Sequence, residues 1–111
     1  MPDLADYVVS PSDTIQHTME KIDRNGMRAA IVVDEEKVVG TVSDGDIRRA
    51  LLHNVILMSP VGGIMQLNPR VTTSADPQER EGLITKHNLT LLPIVDDENR
   101  LVDVQLAYEP F

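Results

Sequence analysis

Gly40-Thr41-Val42-Ser43-Asp44-Gly45-Asp46-Ile47-Arg48-Arg49 is the stretch on which the fold turns, because an apolar β-run stops inside it and a helix begins. Val38-Val39 and Val42 suit a buried strand, and Ser43-Asp44-Gly45 breaks it. Ile47, Ala50 and Leu51 then recur at i, i+3, i+4, the spacing of one helix face. The first turn of such a helix offers unpaired N–H groups and the positive end of the dipole, a seat for an anion. Asp46 sits in that turn, where a carboxylate can accept hydrogen bonds from a ribose diol. The same residues also read without a ligand. Ser43 with an acidic residue three positions on is nearly the capping box Ser-x-x-Glu, which satisfies orphan N–H groups internally. Both readings stand at this level.

Upstream, Tyr7-Val8-Val9 reads as a short strand, and Ser10-Pro11-Ser12-Asp13 offers several caps for a first helix. Ile15, Met19 and Ile22 form its apolar stripe, and Asn25-Gly26, tolerant of left-handed geometry, closes it. Ala29 to Val33, the polar turn Asp34-Glu35-Glu36 and Lys37 to Val42 predict a hairpin. A second helix follows from about Asp46 to His53. The unit is β-α-β-β-α.

The second half repeats the first. Val33-Asp34 and Val95-Asp96 stand 62 positions apart (95 − 33), and the same offset pairs Val9 with Val71, Ser12 with Ser74, Ile22 with Ile84 and Glu36 with Glu98. After one extra residue in the second turn, Lys37-Val38-Val39 pairs with Arg100-Leu101-Val102. Asp76-Pro77 opens the second copy of the first helix with a cap and an N1 proline, and His87-Asn88 closes it; Glu81 and Gly82 weaken its apolar face. Between the copies, 58–65 is a connector with room for one helical turn. Leu106-Ala107-Tyr108-Glu109 takes the place of Ser43-Asp44-Gly45-Asp46, so the second unit is expected to lack its last helix. Apolar surface left open there predicts a fragment of a longer protein or a covering partner.

The 111 residues are 41% apolar and 25% charged, the profile of one ordinary domain with a modest core. Three aromatics (Tyr7, Tyr108, Phe111) and a net charge of −8 argue against nucleic-acid binding, which needs stacking platforms or a basic surface. Arg48-Arg49 is the only adjacent basic pair. The absence of cysteine excludes disulfides and thiol chemistry and suits a cytoplasmic setting. No stretch approaches the ~18 apolar residues of a membrane span, and no targeting signal is readable. His17, His53 and His87 are scattered without metal-ligand spacing, and the acidic turns lack the glycine and terminal Glu of a calcium loop. No phosphate-binding or nucleophile-elbow glycine motif occurs, so catalysis is not expected.

From about Val8 to Glu109 the chain resembles a tandem pair of cystathionine-β-synthase (CBS) domains, a Bateman module. The resemblance rests on the repeated β-α-β-β-α unit, on Val32-Val33-Asp34-Glu35 and on Gly40-Thr41-Val42-Ser43-Asp44-Gly45-Asp46. It implies an α+β (α/β) fold of two repeats, 1–57 and 58–111, related by a pseudo-twofold axis, with an adenine nucleotide (AMP, ADP or ATP) in the cleft between them. Ser43 is then expected near phosphate and Asp46 on the ribose hydroxyls. Arg28 and Ala29, within Met27 to Ala30, are expected near the base, as is Ser10 beside the first strand. Arg48 or Arg49, ordinarily a solvated helix face, is placed to meet a phosphate, and Arg49 is the candidate named. The second motif departs from the pattern: Leu106 replaces the hydroxyl, Asp103 the glycine, and only Glu109 could still reach a ribose. One competent site at most is expected.

Two functions follow from different classes. One is a regulatory module sensing a nucleotide and modulating an attached enzyme. The chain resembles pairs attached to sugar-phosphate nucleotidyltransferases and isomerases, which implies a C-terminal catalytic domain. The other is a structural dimerisation module with degenerate sites, since such pairs often form homodimers.

Overall fold

The computed structural model describes residues 3–108. A 3-10 turn at Leu4–Tyr7 leads into β1 (Val8–Val9), followed by α1 (Ile15–Asn25), β2 (Ala29–Asp34), β3 (Lys37–Ser43) and α2 (Asp44–Leu52). A second 3-10 turn, Val61–Gly63, lies in the connector, and α3 (Pro77–His87), β4 (Leu91–Val95) and β5 (Leu101–Leu106) complete the described chain. The fold is mixed α+β, a β-α-β-β-α unit followed by a shorter copy.

The offset of 62 holds at the level of single residues. α3 begins and ends 62 positions after α1. The N-caps Thr14 and Asp76 correspond, as do the left-handed C-caps Gly26 (φ 71°) and Asn88 (φ 53°). β1 runs parallel to β2, and β2 pairs antiparallel with β3; the β2–β3 ladder slips at Val32/Val33, as the β4–β5 ladder does at Ile94/Val95. Lys37 and Arg100, equivalent positions once the extra turn residue is counted, bridge each other antiparallel. Equivalent residues meet in this way when two units are related by a local twofold.

Strand alternation explains the layers. Ala30 and Val32 of β2 face α1 and α2, packing with Ile15, Ile22, Val42 and Ile47. Ile31 faces the other way, into an inter-repeat core with Val38, Leu91, Val95 and Val104. Leu92 and Ile94 of β4 turn outward to Ile84 of α3, as their counterparts Ala30 and Val32 turn to α1. The order is helices, sheet, sheet, helix.

Several expectations need correction. α2 starts at Asp44, two residues earlier than the pattern indicated, because Ser43 itself is the N-cap. Thr18, not Met19, completes the buried stripe of α1: its hydroxyl donates to the Thr14 carbonyl (2.9 Å), whereas Met19 is 39% exposed. The first strand of the second unit shrinks to a single bridge, Thr72 to Ile94, one residue past the expected Val71. Thr72 ends it, since its hydroxyl accepts from the Ser74 N–H (3.1 Å) and turns the chain away. α3 buries only Ile84, in line with its weak apolar face. No helix among the described residues follows β5.

The connector is fastened to the first unit. Ile15 N–H donates to the Ser59 carbonyl, Val61 N–H to that of Asp13, and Gln66 exchanges both backbone hydrogen bonds with Thr41. Met19, Leu51, Leu52 and Leu57 line an apolar groove between α1 and α2, and Leu52 is 73% exposed. No helix among the described residues is long and apolar enough to cross a membrane.

Candidate functional site

A cleft of ≈ 670 Å³ opens where the two units meet. One wall is the start of β2, the end of β3 and the first turn of α2, with Arg28, Ala29, Ser43, Asp46 and Arg48; the other is Asn88 to Leu91 with Pro93. Residues 66–70 of the connector close a third side. Thr90 ties the walls together, its hydroxyl donating to the Met27 carbonyl.

The capping box is formed. Asp46 N–H donates to Ser43 Oγ (3.2 Å), and Ser43 N–H returns a bond to Asp46 Oδ2 (2.9 Å). The Ser43 hydroxyl donates to the same Oδ2 (3.0 Å), while Oδ1 accepts from Arg49 Nη2 (2.7 Å) and Gln66 Nε2 (2.8 Å). Asp46 is 7% exposed. Burial pushes its carboxyl up, but the hydrogen bonds from Gln66, from Ser43 backbone and side chain, and from Arg49 outweigh this and hold it below the ordinary carboxylate value.

Gly40 explains how Gln66 arrives. A Cβ there would lie 2.7 Å from Met65 Sδ and 2.8 Å from the Gln66 carbonyl oxygen, so only glycine lets the connector lie against β3. In the second unit Asp103 stands in this place and faces Arg80 (3.8 Å).

The first turn of α2 has little left to offer an anion. Asp44 N–H donates to the Arg28 carbonyl (3.0 Å) and Asp46 N–H to Ser43, which leaves Gly45 N–H without a partner among the described residues. Arg28 reaches this position in a left-handed conformation (φ 61°), unusual for a residue with a side chain.

Of the expected site residues, Arg28, Ala29, Ser43 and Asp46 line the cleft. Two do not. Arg49, with its side chain 57% exposed, is engaged by Asp46 one helical turn away, and Arg48 lines the cleft instead. Ser10 lies in the β1–α1 loop, its hydroxyl 3.0 Å from that of Ser12 and its N–H bonded to Asp13. Arg70 and Thr90 went unremarked in the sequence, although Thr90 is the repeat partner of Arg28, and Asn88 was read only as a helix end. Gln66 sits in the connector, where the repeat provides no guide.

In the second unit Leu106 occupies the register of Ser43: Leu91 pairs with Leu106 as Ala29 pairs with Ser43. Ala107 N–H donates to the Thr90 carbonyl (2.8 Å), as Asp44 does to Arg28. Backbone geometry is thus retained while the hydroxyl is gone. Glu109 lies outside the described residues. No cluster of three metal-ligating side chains occurs among the described residues.

Comparison with known proteins agrees with this architecture. An uncharacterized protein of Helicobacter pylori is 34% identical over 100 residues, covering 87% of this chain and 30% of the relative. Arabinose 5-phosphate isomerase GutQ of Salmonella typhi is 32% identical over 91 residues, covering 79% of this chain and 28% of GutQ. The chain therefore spans under a third of the length of these relatives. The CBS domain protein PAE2072 from Pyrobaculum aerophilum, complexed with AMP, superposes with a TM-score of 0.73 at 20% identity over 89% of this chain and 78% of that one, a likeness of fold. The CBS domain family model matches residues 4–53, the first unit through α2, and that unit is a CBS domain.

Proposed function

We propose that the two units, divided in sequence at 57/58, act as one Bateman module that binds an adenine nucleotide in the inter-repeat cleft and modulates an attached enzyme. The observation that carries this reading is the cleft itself: a cavity at the repeat interface, bordered by the capped start of α2 and by arginines from separate segments. The AMP bound by PAE2072 supports the ligand class. Similarity to GutQ favours a sugar-phosphate isomerase over a nucleotidyltransferase as the attached enzyme, with the module regulatory and not catalytic. Nucleotide occupancy changes the fit of the two walls, and that change is what an attached domain reads.

Thermal melting with AMP, ADP and ATP tests the reading. A ligand that binds only the folded state raises the midpoint by mass action. A shift with nucleotide, absent with inorganic phosphate, supports it; no shift at millimolar nucleotide defeats it.

A second reading, homodimerisation through α1 and α2, is favoured by the exposed apolar groove at Met19, Leu51, Leu52 and Leu57. The two are compatible: one concerns the cleft, the other the outer helical face.

A further inference from the structure

We propose that the Gln66 side chain is an internal competitor for the ligand: in the free cleft its amide occupies the place at Asp46 that a ribose hydroxyl takes on binding. A nucleotide then binds by exchange, and the cost of displacing Gln66 sets the threshold of the site. This concerns the regulation of the cleft described above and rests on the nucleotide reading.

Two observations carry the inference. The first is which donor stands in the way. A carboxylate has about four lone-pair directions, and Asp46 accepts four hydrogen bonds, two from Ser43 and one each from Arg49 and Gln66. A ribose diol reaches it only when one donor leaves. The Ser43 bonds close the helix cap. Arg49 approaches from its own helix one turn on, its bond is charge-assisted, and it does not line the cleft. Gln66 does line it, beside Asp46, and comes from the connector that forms the third side. Its amide therefore stands on the side from which a ligand arrives.

The second is that Gln66 can leave without disturbing what holds it. Residue 66 is exposed, so the freed amide is taken up by water. Its backbone exchanges two hydrogen bonds with Thr41 (3.2 and 2.7 Å), and these keep the connector in place while the side chain turns away. The competitor thus stays tethered beside the site, at a high effective concentration. Asp46 keeps its orientation as well, because Ser43 holds Oδ2 and Arg49 holds Oδ1. A diol brings two hydroxyl donors against one amide N–H, so the exchange favours the ligand while subtracting from its affinity.

Calorimetry and side-chain amide NMR on the intact chain test this. AMP and ATP, each beside its 2′,3′-dideoxy counterpart, are titrated into the native protein and into Gln66→Met, which keeps the length of the side chain but donates nothing. Loss of the competitor should tighten binding of the ribonucleotides about three- to tenfold, the range of one hydrogen bond. The dideoxy nucleotides, which make no claim on Asp46, should stay within about twofold. On the native chain, which needs no variant to fold, the Gln66 side-chain NH2 resonances should move more with a ribonucleotide than with its dideoxy counterpart. Weaker or unchanged binding of ribonucleotides by Gln66→Met, an equal gain for the dideoxy nucleotides, or a Gln66 amide that stays fixed while a ribonucleotide binds overturns the proposal and leaves the nucleotide reading intact. Absence of binding by all four overturns both.

Discussion

Gln66 and Asp46, twenty positions apart, meet through a 2.8 Å hydrogen bond from the amide Nε2 to the carboxylate Oδ1. This contact links the connector to the first turn of α2, and it is possible because the Gln66 backbone lies against Thr41 of β3, two residues before the Ser43 cap. Gln66→Ala removes one of four donors to a nearly buried carboxylate. A loss of about 1–2 kcal/mol in stability is expected, within the range for hydrogen bonds to charged groups. Urea melts of the two proteins measure it; an unchanged midpoint would mean that the contact contributes nothing.

Asp46→Asn has a sharper effect. An amide keeps the size of the carboxyl but turns an NH2 group toward donors that now find no acceptor. Ser43, Arg49 and Gln66 supply those donors from three directions, so the loss should reach about 2–3 kcal/mol, more than the few tenths to 1 kcal/mol of a helix-dipole term alone. Affinity for ATP should fall by about one to a few kcal/mol where the carboxylate holds the ribose diol. A destabilised variant with unchanged affinity would leave Asp46 a structural role alone.

Acid should weaken the fold through the same group. Its folded-state pKa lies below the ordinary value of 3.8, because hydrogen bonding outweighs burial. A depressed carboxyl contributes stability that is fully present above the unfolded pKa and lost as pH falls through the folded one. Urea melts should therefore be level from pH 7 to about 5 as far as Asp46 is concerned, and fall below about pH 4. Asp46→Asn should show a shallower acid decline than the native chain. Parallel declines would place the acid sensitivity elsewhere, with Asp96 the next carboxyl held below its ordinary value, first by the Arg100 backbone N–H.

Much of the fold was legible because it is written twice. The helix caps, the hairpin turns and the place of Leu106 opposite Ser43 all follow from one offset, and α3 obeys it to the residue. Local rules also fixed the Ser43–Asp46 cap. The cleft was less readable, since its third side is the connector, which has no repeat counterpart. Gln66, Asn68 and Arg70 carry no periodic signal there. Arg49 and Arg48 were hard to separate by sequence because adjacent helix positions point about 100° apart, and only packing decides which meets the cleft. Met19 misled for a related reason: an apolar residue at i+4 suits the core, yet Thr18 can enter it once its hydroxyl is satisfied by the preceding turn.

The α1–α2 groove makes a prediction about assembly. Leu52→Glu alters a side chain that is 73% exposed, so folding stability should shift by no more than about 0.5 kcal/mol. If two copies meet through this face, a charge at its centre should raise the dimer dissociation constant by at least tenfold, about the 1.4 kcal/mol of one unfavourable interfacial charge. Sedimentation at several concentrations reads this directly. Identical profiles for native and variant chains would remove the groove as a self-association surface.

Gly40→Ala tests how the site is assembled without touching any group that contacts ligand. The added methyl carbon would sit 2.7 Å from Met65 Sδ and 2.8 Å from the Gln66 carbonyl oxygen. The Met65 side chain is flexible and can swing aside, but the carbonyl belongs to backbone held by Thr41, so the connector itself must move. Overpacking of this kind typically costs about 1–3 kcal/mol, and that loss is expected in a urea melt. The displacement should also pull the Gln66 amide from Asp46. Amide NMR shifts at Ser43, Asp46 and Gln66 should then change together, while those of the distant α3 stay fixed. Combining Gly40→Ala with Gln66→Ala should cost less than the sum of the two, because the first change already breaks the contact that the second removes. Full additivity would show that Gly40 and Gln66 act independently, and that the close approach at Gly40 serves packing alone.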